Sequence, residues 1–305
     1  SFGQVICGWC NNVTYNNITI NEGDGINLFY TSNSTISNSV VNTSKGYGIY
    51  VYQKSFTNNI SNNNITTNGT NGYGIYLFTD VNYTTVSNNY INTIGSFGYG
   101  IYLDTRASAN NITNNNMSNY GVSNAVTFYL SSTSNNNIFA GNIVKSNARG
   151  SAFYFSTSSS NIVQGNTLIN TYTMDTHGFF LYAGSNYNLV YNNNITNPYG
   201  YGIYLQLVSH NNFSNNNFNS TEIGIYLRGG TTGNIFSNIT SIGSTVGSSS
   251  IYLHDNNENF TIIDSILNAS KAGVNDTQIA AAVTGGIWNF TNVTRSDGSP
   301  INISW

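Results

Sequence analysis

Charged side chains are scarce in this chain: 6% of its 305 residues are Asp, Glu, Lys or Arg, and the formal net charge is −3. No basic run exists, which argues against nucleic acid or an anionic membrane surface as a partner. Proline occurs only at Pro198 and Pro300, so long stretches can enter backbone ladders without a missing donor. No apolar run approaches the ~18 residues of a membrane helix, so membrane insertion is not expected. The two cysteines lie together in Cys7-Gly8-Trp9-Cys10. A local disulfide between Cys7 and Cys10 is the expected reading, and it favours an oxidising compartment. Half of a zinc site and a redox pair are the alternatives. The first needs ligands that no neighbouring Cys or His supplies, and the second lacks a βαβ context.

Asparagine, in contrast, is abundant, with 57 copies. Low charge and many Asn residues also describe prion-like disordered chains. Disordered tracts keep no period, however, and this chain keeps one. The stretch Gly72-Tyr73-Gly74-Ile75-Tyr76-Leu77 returns as Gly98–Leu103 and Gly200–Leu205, with looser copies at Ile26, Ile49, Phe128, Phe153, Phe179, Ile225 and Ile251. Successive Ile or Phe positions are 23, 26, 26, 27, 25, 26, 24, 22 and 26 residues apart. A period in this range running through most of a chain marks a solenoid.

Each copy has one internal pattern. An Ile or Phe is followed two residues later by a second apolar residue, as in Ile75 and Leu77, and residues two apart share a face of a strand. A small residue, usually Gly, precedes the first; it suits a chain bending into a strand. Between the two apolar positions stands an aromatic column of Tyr50, Tyr76, Tyr102, Tyr129, Tyr154, Phe180, Tyr204, Tyr226 and Tyr252, which alternation points outward. About ten residues later comes a second element such as Ile60-Ser-Asn-Asn-Asn-Ile65 or Ile112-Thr-Asn-Asn-Asn-Met117. Its Asn residues tolerate left-handed backbone at a tight corner and can bond to one another along a ladder. The expected fold is all-β, a single-stranded parallel β-helix of about 10–12 coils with 22–27 residues in each. The solenoid is expected over residues 1–270 with a lead-in coil at its start. Residues 271–305 form an irregular last coil, hairpin or cap, in one continuous domain.

The repeat of paired Asn, spaced Ile and Gly-Ile-Tyr-Leu resembles the parallel β-helix repeats of the pectin-lyase-like superfamily. Within it the chain is most similar to NosD-like and other carbohydrate-binding or sugar-hydrolase repeat proteins of archaeal and bacterial envelopes. The resemblance spans about residues 11–270 and implies a right-handed solenoid. It does not choose an activity, because lyases, hydrolases, tailspikes, adhesins and surface-layer proteins share the fold. The NosD likeness implies periplasmic copper delivery as one reading.

Chemistry is sparse in the sequence. Hydrolysis or lyase action on this scaffold calls for clustered carboxylates, yet no Asp-Asp or Asp-x-Asp occurs among 11 acidic residues. A non-enzymatic role is therefore expected, with no catalytic residues, cofactor or metal. The one polar constellation is Gln206, Arg228 and His254, three residues past the lead position in successive coils, with Asp255 adjacent. It reads either as a weak anion site or as an ordinary solvated edge. The aromatic column reads as a subunit contact, a saccharide platform, or a ladder packed on itself. Twenty Asn-x-Ser/Thr sequons exceed chance modestly, with Asn17, Asn33, Asn68, Asn82, Asn194, Asn238, Asn259 and Asn292 as glycosylation candidates. Taken together these features favour an extracellular structural glycoprotein that assembles with itself into a layer, sheath or fibril. The alternative is a module that binds or cleaves polysaccharide.

Overall fold

The structure, a computed structural model, describes residues 4–9, 11–121, 123–172, 176–197, 199–243, 249–254, 259–268, 277–279, 286–301 and 303–304. It is a parallel β-solenoid built of β-strands, without an α-helix among the described residues. Among the described residues no helix is long and apolar enough to cross a membrane. Each coil contributes a lead strand, a short second strand and a third strand, as in Ile75–Phe78, Thr85–Ser87 and Tyr90–Thr93. The lead strands form one sheet of thirteen strands. All ten lead positions read from the sequence sit in register on one another, for example Ile75 on Ile101 and Ile101 on Phe128. Beyond residue 270 the pattern continues: Thr277–Ile279 pairs in parallel with Ile251–Leu253, and Trp288–Thr294 with Phe260–Asn268.

Alternation decides what enters the core. Ile75 and Leu77 are fully buried, as are Val86 of the second strand and Ile91 of the third. Four apolar columns thus meet inside the solenoid, the first of them continued by Phe128, Phe153 and Phe179 in the middle coils.

The corner between second and third strands is made by two Asn residues with different tasks. Asn62, Asn88 and Asn114 hold left-handed backbone at φ 57, 55 and 55°, and Gly141 and Gly165 take the same position in the next two coils. The next residue turns inward. Asn63, Asn89, Asn115, Asn142, Asn166, Asn193 and Asn216 form a buried ladder in which each side-chain oxygen accepts the backbone N–H of the preceding coil's Asn, or of Ser39 at the start. A second buried ladder, Asn110, Asn137, Asn161, Asn188, Asn211 and Asn234, closes the corner before the second strand.

The small residue before the lead position is required by close approach more than by bending. A Cβ on Gly74 would lie 2.3 Å from Ile91 Cγ2 and 2.6 Å from the Gly100 carbonyl oxygen. Gly74→Ala is therefore expected to lower stability by about 1–3 kcal/mol, read as a shift in the urea midpoint by circular dichroism.

Candidate functional site

The lead strands present their outward side chains as stacked rings. Tyr50, Tyr76, Tyr102, Tyr129, Tyr154, Phe180 and Tyr204 follow one another with ring centroids 4.5–5.1 Å apart and planes within 12° of parallel. The column then jogs: Tyr226 stands at 85° to Tyr204 and stacks on Tyr201 and Tyr252 instead. The rings are half-buried or, for Tyr76 and Tyr226, buried, because each covers the face of the next. The solvent meets their edges and hydroxyls.

A second aromatic column runs beside the first, two residues before each lead position. Tyr47, Tyr73 and Tyr99 stack at 4.9 and 4.7 Å, and His177 stacks on Tyr201 at 5.1 Å. These rings meet the first column edge to face, as Tyr73 does Tyr76 at 86°. Val126 and Ser151 occupy the same register between Tyr99 and His177, so two coils carry no ring there. The gap is a cleft of about 450 Å³. Tyr99 closes one end and His177 the other, Tyr129 and Tyr154 form the floor, and Arg149 and Asn124 stand at the rim. Three coil steps of ~4.8 Å set the Tyr99 and His177 rings about 14 Å apart.

Local backbone positions Arg149. Its carbonyl accepts the Ala125 N–H at 2.8 Å, and the chain then passes through Gly150 at φ 151°. A Cβ on Gly150 would lie 2.5 Å from the Ala125 carbonyl oxygen, so only glycine lets the coils approach this closely. Among the described residues that line the cleft there is a guanidinium and an imidazole but no carboxylate. That polarity suits an anionic group. The aromatic ends suit a flat, partly apolar ring such as a sugar.

A carboxylate lies elsewhere on the same face. Asp104, three residues past its lead position, accepts from the Ser131 hydroxyl at 2.6 Å and the Thr105 N–H at 2.7 Å. Burial works to raise this carboxyl, but these hydrogen bonds outweigh burial and hold it below the usual range. The Tyr102 hydroxyl bonds the same Ser131 at 3.0 Å.

Burial pushes the phenols of Tyr50, Tyr76 and Tyr129 well above the ordinary tyrosine range, and neighbouring phenols and Asp104 raise them further. A phenol raised in the folded state adds stability that is complete below about pH 10 and is lost as pH rises through the folded values. In an alkaline titration, phenolate absorbance from the column should lag behind that of the urea-unfolded chain and appear together with loss of strand circular dichroism. Coincident titration of folded and unfolded chains would contradict the buried stack.

Gln206 and Arg228 do come together. Tyr204 donates its hydroxyl to Gln206 Oε1 at 3.3 Å and accepts from Arg228 at 3.3 Å. His254 lies against the rings of Tyr226 and Tyr252. Asp255 lies outside the described residues, as do Cys10 and the Cys7 side chain. Among the sequon residues, Asn17, Asn33, Asn68, Asn194, Asn238 and Asn292 are exposed. Asn82 and Asn259 are half-buried, and their side chains accept from the N–H groups of Ser108 and Ile287.

The fold and its columns define a right-handed β-helix, and the model described as "Right handed beta helix region" matches residues 8–91. The model described as "Periplasmic copper-binding protein (NosD)" matches residues 92–245, half of the chain, and the chain belongs to that family. No curated protein matches it. Among solved structures it is similar to the A-module of the Azotobacter vinelandii mannuronan C-5 epimerase AlgE4, at 11% identity and a TM-score of 0.68, covering 99% of this chain and 89% of that one. It is also similar to the tailspike of E. coli bacteriophage HK620 in complex with a pentasaccharide, at 13% identity and a TM-score of 0.68, covering 93% and 56%. The periplasmic alginate epimerase AlgG aligns at 12% identity with a TM-score of 0.56, covering 94% and 76%. The chain thus spans little over half of the tailspike. At these identities the likeness is one of fold.

The family's description raises copper, and the described side chains do not fit it. No three His, Cys, Asp or Glu residues gather among the described residues. His177, His210 and His254 pack against different rings, and Met117 is fully buried in the core.

Proposed function

We propose that this chain is an envelope or extracellular β-helix module that binds an acidic polysaccharide, with the cleft between Tyr99 and His177 as its principal subsite. The observation that carries the reading is the two-coil break in the second aromatic column, which leaves one face of each flanking ring toward a cleft lined by Arg149. A pyranose presents apolar C–H faces to the rings while its hydroxyls and a uronate carboxylate meet the polar rim of Asn124, Ser151 and Arg149. Two fold neighbours, a tailspike in complex with a pentasaccharide and an alginate epimerase, support this reading over a self-assembling structural role. So does the stacking of the first column, because rings that cover one another leave little apolar face for a subunit contact.

Titration calorimetry with oligogalacturonate and oligomannuronate tests the proposal. Binding weakened at least tenfold by Arg149→Ala and by Tyr99→Ala is the expected result. Absence of binding to either oligomer, together with fibres or sheets of ligand-free protein, would restore the structural reading.

A further inference from the structure

A second cavity, of about 420 Å³, lies on the corner between lead and second strands, spanning three coils. Its composition differs from that of the aromatic cleft. Here the guanidinium of Arg106 is already matched: its Nε donates to Asp80 Oδ1 at 2.7 Å and a terminal nitrogen donates to Asp80 Oδ2 at 2.9 Å. A forked pair of this kind offers donors and acceptors side by side while cancelling charge locally.

Two amides are held beside it. Asn82 Oδ1 accepts the Ser108 N–H at 2.8 Å, and Asn135 Oδ1 accepts the Ser159 N–H at 2.6 Å. These bonds fix each amide so that its Nδ2 remains a donor. An aromatic wall completes the cavity. Tyr83, Ala109 and Asn136 occupy one left-handed corner position in successive coils, at φ 56, 56 and 58°. The same position later carries Tyr187 and His210, which stack at 5.1 Å and 14°. There the next coil's ring covers the tyrosine face. Tyr187 and Tyr83 are about equally exposed, at 62% and 64%, but at Tyr83 the next coil offers only the methyl group of Ala109, and the unstacked Tyr83 ring lines the cavity.

From this we infer a second saccharide site on the corner, specific for a neutral glycan, with Tyr83 as the stacking ring and the Asp80–Arg106 fork and the Asn82 and Asn135 amides as hydroxyl partners. Neutrality follows from the fork, since an anionic sugar would have to displace Asp80 from Arg106 or sit beside a carboxylate. The aromatic cleft, whose described lining includes Arg149 and His177 and no carboxylate, is proposed above for an acidic sugar instead.

The two sites are separable by calorimetry on the full chain, using cellohexaose, mannohexaose and xylohexaose as neutral probes and oligogalacturonate as the acidic one. At least one neutral probe is expected to bind the wild type. That binding should fall at least tenfold in Tyr83→Ala and in Arg106→Ala, both surface changes, and stay unchanged in Ser151→Tyr, which fills the aromatic cleft. A neutral probe whose binding Ser151→Tyr abolishes would overturn the corner site and leave the cleft standing. Failure of all three neutral probes, or binding indifferent to both corner variants, would also overturn it. Loss of acidic binding alone would count against the cleft and not against the corner.

Discussion

Asn115→Ala is expected to destabilise the chain by about 3–5 kcal/mol, a large effect for a polar residue of ordinary size. The Asn115 side chain makes four bonds at once. Its oxygen accepts the backbone N–H and the side-chain Nδ2 of Asn89, both at 3.0 Å. Its nitrogen donates to the Val86 carbonyl at 2.9 Å and to Asn142 Oδ1 at 3.0 Å. All of these groups are buried, so truncation strands two donors on Asn89 and one carbonyl acceptor, each costing about 1–3 kcal/mol when no water replaces the partner. Exposed Asn116 next to it in sequence serves as the control, and Asn116→Ala should change stability by no more than about 0.5 kcal/mol. Urea unfolding of the two variants measures the contrast. Equal, small losses would mean that the ladder is not what closes the corner.

The second large effect concerns the cleft. Ser151→Tyr should abolish binding of acidic oligosaccharide, by tenfold or more, while leaving unfolding within about 1 kcal/mol of the wild type. Four coils already carry Tyr in this register, at Tyr47, Tyr73, Tyr99 and Tyr201, so the solenoid accommodates a ring there. Ser151 lines the cleft, and a ring in its place would fill the space between Tyr99 and His177. Adding an aromatic residue is thus expected to remove binding, which a general contribution of surface tyrosines would not explain. Calorimetry on wild type and variant, with thermal unfolding as the control for folding, checks both halves.

Much of the fold was legible because the repeat is literal. Ile75, Ile101 and Ile203 sit in identical hexapeptides, and the register counted along the chain is the register of the sheet. The Asn corners were legible as corners. The division of labour was not, since Asn114 and Asn115 look alike in sequence while one turns left-handed at the surface and the other is buried in the ladder. The glycine before each lead position was visible, but its reason was not. The clash it avoids is with a third-strand side chain, such as that of Ile91, and with the next coil.

The candidate site was half legible. The first column, from Tyr50 to Tyr252, could be read from its period. The second column lies in the same motif, as the first Tyr of Gly-Tyr-Gly-Ile-Tyr-Leu, but its period is broken in the middle coils. Aligning that position across coils would have exposed the run Tyr99, Val126, Ser151, His177 and with it the gap. Arg149 carries no such signal, because its place at the rim depends on the path of the chain through Gly150, which strand periodicity does not encode.

The most direct test is a crystal structure of the chain soaked with oligogalacturonate. The expected density is a sugar ring between Tyr99 and His177 above Tyr129 and Tyr154, with its carboxylate on Arg149. Sugar bound on another face with this cleft empty would contradict the proposed function.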